Sequence, residues 1–316
     1  MRRPSGHVRV LSILVASAWL SIGIWGQVLN YRAKQKPRPL EISKVGDGIY
    51  SAKGEWGSNV GFCTWGNEIL VIDAKATKEA TKRVIEEMGK ISDGPITRVV
   101  FTHSDPDSFN GREAYPSLAA VICSPRVRDD QRKDTIVYLE SNTPADIYGS
   151  WPRSDFAPAM TFEGRLNIRI GREDVTLLHY GRGHTSGDTI VWFPADRIAF
   201  IGDLVFEGRE PLIQDQKGGN SFGLVRTLSI LLGLQPEIRK FIPSHGDPIG
   251  RDVMHQSLRS IEEVHEKVRA MFEAGKSLED VKKAFGVREP DQDTGVWTWP
   301  SLAVTVYREL GEKDVR

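Results

Sequence analysis

From Glu41 onward, short apolar runs alternate with segments of helical spacing. Gly46-Asp47-Gly48 is turn chemistry ahead of a strand pattern, GIYSA, and Gly61 to Trp65 reads as a second strand. Gly66-Asn67 forms a further turn, and Ile69 to Ile72 is a buried strand ending at Asp73. Thr77 to Met88 has helical spacing, with Lys78, Lys82 and Glu86 at outward positions. Thr97 to Thr102 (TRVVFT) is another apolar run that empties into a polar loop. The pattern recurs at Val121 to Cys123, Val175 to His179, Thr189 to Phe193, Ile198 to Ile201 and Phe241-Ile242. Early hairpins followed by strand–helix units predict a mixed α/β fold with two sheets. Arg126 to Phe162 is polar and proline-containing, holds Trp151 and Pro152, and has little period, so it reads as an excursion that serves as lid or rim. After Asp252 the chain turns helical, over Val253 to Glu273 and, past the Gly275 break, Ser277 to Phe285.

Composition narrows the class without naming a partner. Of 316 residues, 40% are hydrophobic and 27% charged, as in an ordinary globular protein. Lys plus Arg and Asp plus Glu are 42 each, so the formal net charge is zero and nothing argues for nucleic acid. Cys63 and Cys123 sit in apolar runs and are expected as buried thiols, with a disulfide as the alternative in an oxidising compartment.

Arg2, Arg3 and Arg9 precede an uncharged stretch from Val10 to Tyr31, the pattern of an export signal. The stretch is also about long enough, at roughly 20 residues, to span a bilayer as an anchor. Pro37 and Pro39 then mark a linker. The expectation is residues 1–39 as signal or anchor plus linker, an extracytoplasmic or periplasmic domain from residue 40 to 316, and membrane contact only through the N-terminal segment.

Chemistry gathers where the apolar runs end. TRVVFT is followed by His103-Ser104-Asp105-Pro106-Asp107, VTLLHYGRG by His184-Thr185, RIAFIG by Asp203, and RKFIPS by His245-Gly246. Strands emptying at one sheet edge would converge these side chains. Imidazoles and carboxylates without a thiolate suit zinc, iron or manganese. Each residue alone reads equally well as turn or capping chemistry; the joint placement after strands is what points to a metal site. The other histidines are set aside: His7 in the export segment, His179 inside a strand, His255 and His265 exposed on the C-terminal helical stretch.

On these motifs the chain resembles the metallo-β-lactamase-fold hydrolase superfamily, from about Glu41 to the C-terminus. The family signature Thr-His-x-His-x-Asp-His reads here Thr102-His103-Ser104-Asp105-Pro106-Asp107-Ser108, with Gly111 following. His103 and Asp107 match, Asp105 stands at the second histidine and Ser108 at the last. Gly183-His184-Thr185, Gly202-Asp203 and Pro243-Ser244-His245-Gly246 match, and Asn59 and Asp73 fit the opening strands. The resemblance implies a four-layer αβ/βα sandwich of two mixed sheets, with a C-terminal helical extension from about residue 252.

Carried over residue by residue, the first metal would take His103, Asp105 and His184. The second would take Asp107, Ser108 and His245, with Asp203 bridging. Serine is a poor zinc ligand, so one ion is expected firmly bound and a second weak or absent, with iron(II) or manganese as alternatives to zinc. The implied activity is hydrolysis of an ester, lactone, β-lactam, thioester or phosphoester by a metal-activated water, with Asp107 orienting it and handling its proton. Trp56, in the turn GEWGSN, and Arg182 are candidate contacts to a small-molecule substrate. Two rivals stand beside this reading. His103, His184 and Asp203 form the 2-His-1-carboxylate set of non-haem iron oxygen chemistry, which persulfide dioxygenases of the superfamily use. The exchanged histidines also suit a non-catalytic binding member.

Overall fold

The computed structural model describes residues 37–140, 157–171, 173–287 and 301–314; the export segment, His7, Trp151 and Pro152 lie outside them. Among the described residues, twelve strands form two sheets. The first runs β1 (Arg38–Gly46), β2 (Ile49–Glu55), β3 (Val60–Trp65), β4 (Glu68–Ile72), β5 (Ile96–Val100), β6 (Ala120–Cys123), β7 (Met160–Thr161) in that order. Its first four strands pair antiparallel, as hairpins, and the rest pair parallel. The second sheet has the order β12 (Lys240–Pro243), β11 (Ile198–Gly202), β10 (Ile190–Phe193), β9 (Glu173–Leu178), β8 (Arg165–Ile170). Only β11 and β12 pair parallel there.

Strand alternation builds the layers, because successive side chains point to opposite faces. In β4, Leu70 and Ile72 enter the core shared by both sheets, while Ile69 and Val71 face the helical side of the first sheet. In β11, Ile198 and Phe200 join the shared core and Ala199 and Ile201 face the helices of the second sheet. Gly61 has no side chain where the Phe200 ring presses on β3; a Cβ there would lie 2.4 Å from that ring. Helix α1 (Lys78–Gly89), capped by Thr77, covers the first sheet with Ala80, Val84 and Met88. Helices α4 (Ser221–Gly233), α5 (Arg251–Glu273), α6 (Leu278–Ala284) and α7 (Leu302–Asp314) cover the second. The result is the four-layer sandwich of two mixed sheets.

Several expectations are corrected. The segment after Arg126 is not irregular at its start: it forms helix α3 (Pro125–Glu140), made by helix-favouring Arg, Gln and Lys with few apolar positions to set a period. Helix α4, not anticipated, is capped by Asn220, whose side chain accepts from the Gly223 amide. His179 follows β9 rather than lying in it, with Nδ1 2.8 Å from the Asp188 carbonyl. His265 is buried, not exposed: its ring packs on Phe222 and its Nε2 lies 3.0 Å from Ser221 Oγ. Both cysteines are free and buried, and burial raises each thiol to about 12. No helix among the described residues is long and apolar enough to cross a membrane.

Candidate metal centre

Strands β4 and β5 run parallel, as do β11 and β12, and β9 runs the same way as β11 through the antiparallel β10 between them. The loops after these five strands carry Asp73, Thr102–Ser108, His184, Asp203 and His245. Backbone hydrogen bonds lock the loops to one another: Thr189 donates to the Thr102 carbonyl, Asn59 to Ser244, and Ser244 to Gly202. Asn59 Nδ2 further bridges the Pro243 and Gly246 carbonyls, fixing the loop that presents His245. Lys75, fully buried and pushed down to about 8 by burial, donates to the carbonyls of Ala52, Gly54 and Ser58. It thereby pins the β2–β3 turn that carries Ser58 and the 39% exposed Trp56.

His103, Asp105, His184 and Asp203 are all buried and offer ligand atoms within 4.8 Å of one another. His184 Nε2 is 3.1 Å from Asp105 Oδ2 and 3.7 Å from Asp203 Oδ2, which lies 3.6 Å from His103 Nε2. A tetrahedral ion with bonds of about 2.1 Å separates its ligand atoms by about 3.4 Å, so the spacing and the donor types fit a zinc-sized cation. The other oxygen, Asp203 Oδ1, is buried with no hydrogen-bond partner among the described residues, and its nearest imidazole is His245 at 3.7 Å. Asp203 thus stands between the first group and a second one, in which His245 Nε2 is 3.0 Å from Asp107 Oδ2. Ser108 Oγ meets Ser58 Oγ at 2.7 Å and His103 Nε2 at 3.3 Å.

Both buried imidazoles are oriented from behind, as metal-binding histidines usually are. His103 Nδ1 lies 2.8 Å from Thr102 Oγ1, and that hydroxyl donates to Asp73 Oδ2 at 2.7 Å. With Asp73 ionised the hydroxyl hydrogen goes to its carboxylate, Nδ1–H is the donor and Nε2 faces the pocket. His184 Nδ1 donates to the Leu212 carbonyl at 2.8 Å, so its Nε2 faces the pocket as well. Asp73 holds a left-handed backbone, φ 64°, which a short polar side chain tolerates. Gly202, φ 58°, approaches Thr102 where a Cβ would come within 3.0 Å of its Oγ1.

The field in the pocket favours positive charge. Burial opposes a charged His184, but Asp105 and Asp203 overcome it and raise the imidazole to about 10. Burial likewise opposes charge on His245, and Asp203 and Asp107 raise it to about 9. Burial pushes Asp105 upward, yet Lys217 and His184 hold it well below the usual carboxylate range. Asp107 is lowered in the same way, burial being outweighed by His245. Exposure is uneven: the side chains of His103 and His184 are closed off, whereas Asp107 and His245 are 30% and 40% exposed. Solvent therefore reaches the site from the Asp107–His245 side, where the Phe206 ring stacks on His245.

Arg182 donates to the Gly218 and Gly219 carbonyls and ties the His184 loop to the loop that follows. Ser58, Thr102, Gln214 and Lys217 were not anticipated. Thr102 opens the stretch Thr102 to Ser108, but its role as orienter depends on the register of β4 against β5.

The chain belongs to the metallo-β-lactamase superfamily, whose family model matches residues 55–245. It is 24% identical to the type 2 metallo-β-lactamase of Elizabethkingia meningoseptica, over 60% of this chain and 70% of that protein. It is 21% identical to the linear primary-alkylsulfatase of Pseudomonas sp. (strain ATCC 19151), over 60% of this chain but only 42% of that one. Among solved structures it resembles a metallo-β-lactamase from Pontibacter korlensis (TM-score 0.56, 20% identity, 71% of this chain and 99% of that). It resembles TMB-1 to the same degree (TM-score 0.56, 15% identity, 71% and 97%). The superfamily relation supports a metal-dependent hydrolase at that level.

Proposed function

We propose that the chain is a hydrolase in which His103, Asp105, His184 and Asp203 hold one metal ion, zinc by donor preference, with iron(II) or manganese as alternatives. The observation that carries this reading is the convergence of four buried donors from separate strand ends, two of them imidazoles whose outer nitrogens are already committed. When bound, such an ion polarises a substrate oxygen and lowers the pKa of water toward neutrality. Asp107, on the open side, takes the proton of the attacking water and returns it to the leaving group. Its Oδ2 receives Ser58 Oγ at 3.1 Å and faces His245 Nε2, so the carboxylate is fixed in position. With Ser108 turned to Ser58 and His103, the Asp107–His245 side has three donors and binds a second ion weakly or not at all. Asp105 adds a fourth donor to the 2-His-1-carboxylate set, and no separate observation favours oxygen chemistry.

The substrate is a small molecule with a hydrolysable ester-like bond. The relatives are named for a lactamase and a sulfatase, so β-lactams and alkyl sulfates join esters, lactones, thioesters and phosphoesters in the test panel. Zinc-loaded protein should turn over at least one class, with activity lost on chelation and reduced about 100-fold or more in Asp107→Asn. No turnover above the stripped protein on any class would contradict the reading. Export through the N-terminal segment belongs to the same proposal. A fusion of alkaline phosphatase after Arg316 should be active, and an inactive one would refute export.

A further inference from the structure

Asp105 is held differently from the other donors. Its Oδ1 receives Lys217 Nζ at 3.1 Å, while its Oδ2 faces His184 Nε2 at 3.1 Å and takes Gln214 Nε2 at 3.0 Å. Lys217 also donates to the Ser104 carbonyl at 3.1 Å, so one ammonium grips the two residues ahead of the short helix α2 (Pro106–Phe109). The lysine closes the turn Asp215–Lys217, which ends on Gly218 in the left-handed conformation at φ 71°. That turn is fastened to the His184 loop: Gln214 donates to the His184 carbonyl and Ser186 to the Lys217 carbonyl. The segment from Leu212 to Lys217 thus orients His184 through a carbonyl and Asp105 through an ammonium and an amide.

The charges explain why a lysine stands there. The side chain of Lys217 is only 14% exposed and that of Asp105 only 8%, so the two form a largely buried ion pair. A histidine at position 105 would bring no negative charge, and Lys217 would lose that carboxylate while standing beside a cation site. We propose that Lys217 is a positioning residue matched to Asp105. It engages Oδ1, leaves Oδ2 to face the pocket, and offsets the extra negative charge, so that the pair together sets the affinity of the site for a divalent cation. This inference rests on the metal-site reading above.

The test is a double-substitution cycle on the full chain, read by zinc competition against a chromophoric chelator and by thermal melting of the metal-free proteins. Lys217→Met should weaken zinc about tenfold, as loss of a ligand-orienting partner does, and Lys217→Arg should stay within about threefold of the parent, since it keeps the charge. Asp105→His should bind weakly while Lys217 remains. Adding Lys217→Met to it should raise both affinity, by about threefold or more, and melting temperature, so the same substitution acts with opposite sign in the two backgrounds. If Lys217→Met alone does not fold, the comparison of Asp105→His with Asp105→His/Lys217→Met decides: the double variant must be the tighter binder and the more stable. Equal effects of Lys217→Met in both backgrounds, or none on zinc, would overturn the proposal while leaving the metal site intact. A parent protein that retains no zinc would overturn both.

Discussion

Thr102→Val removes one oxygen from the centre of the chain Asp73–Thr102–His103 while conserving shape. The hydroxyl donates to Asp73 Oδ2 and accepts from His103 Nδ1, both at sites closed to water. Its loss leaves a buried acceptor and a buried donor unpaired, at about 1–3 kcal/mol each. The Thr102 amide still reaches Asp73 Oδ1 at 2.7 Å, so the strand end is not released outright. The total is about 2–5 kcal/mol, and at about 2–4 °C per kcal/mol for a domain of this size the melting temperature should fall by about 4–20 °C. The imidazole also loses what fixes its tautomer and ring plane, so zinc affinity should drop about 10–100-fold. Thr102→Ser keeps the hydroxyl and should recover most of both. The assays are a thermal melt of the metal-free protein and a chelator competition. A Val variant that melts within 2 °C of the parent, as an estimate of the error, with zinc affinity unchanged would refute the claim that Thr102 orients His103.

Two further outcomes follow from the same geometry. Ser108 is fully buried and 2.7 Å from Ser58 Oγ, so Ser108→His has no room for its ring and should cost about 1–3 kcal/mol without adding a second ion; Ser58→Gly/Ser108→His should admit one, and uptake by the single variant would contradict the packing argument. Burial raises Asp73 from 3.8 to about 7, so the folded metal-free chain keeps a proton that the unfolded chain releases. Its contribution to stability is therefore full below about pH 4 and declines as pH rises toward 7, by a few kcal/mol at most. In denaturant titrations across that window Asp73→Asn should flatten the decline, and an unchanged slope would assign it elsewhere.

The sandwich was legible because its central strands, such as the fully buried β10 and β11, are short apolar runs separated by polar loops. His103, Asp105, His184 and Asp203, whose donor atoms the structure brings within 4.8 Å of one another, and the neighbouring Asp107 and His245 stood out in the sequence because they lie in the loops that follow apolar runs. What the pattern could not carry was partnership across the chain. Lys217 is 112 residues from Asp105, and nothing in its surroundings marks it apart from other loop lysines. Arg182 read as a substrate contact or a solvated side chain, and its carbonyl partners at Gly218 and Gly219 are not displayed by sequence. His265 looked like an exposed helical histidine because its neighbours are polar; its cover comes from Phe222 on a helix with no anticipated role. Helix α3 was missed for the complementary reason, a charge-rich sequence with too few apolar positions to reveal its period.

The central claim is that His103, Asp105, His184 and Asp203 form one firm metal site. Elemental analysis of the purified chain after exhaustive dialysis tests it most directly, with His184→Ala as the control and a melt to show that the variant folds. The account predicts close to one retained ion per chain in the parent and none in the folded variant. No retained ion in the parent, two firmly retained, or an ion that survives His184→Ala would contradict it.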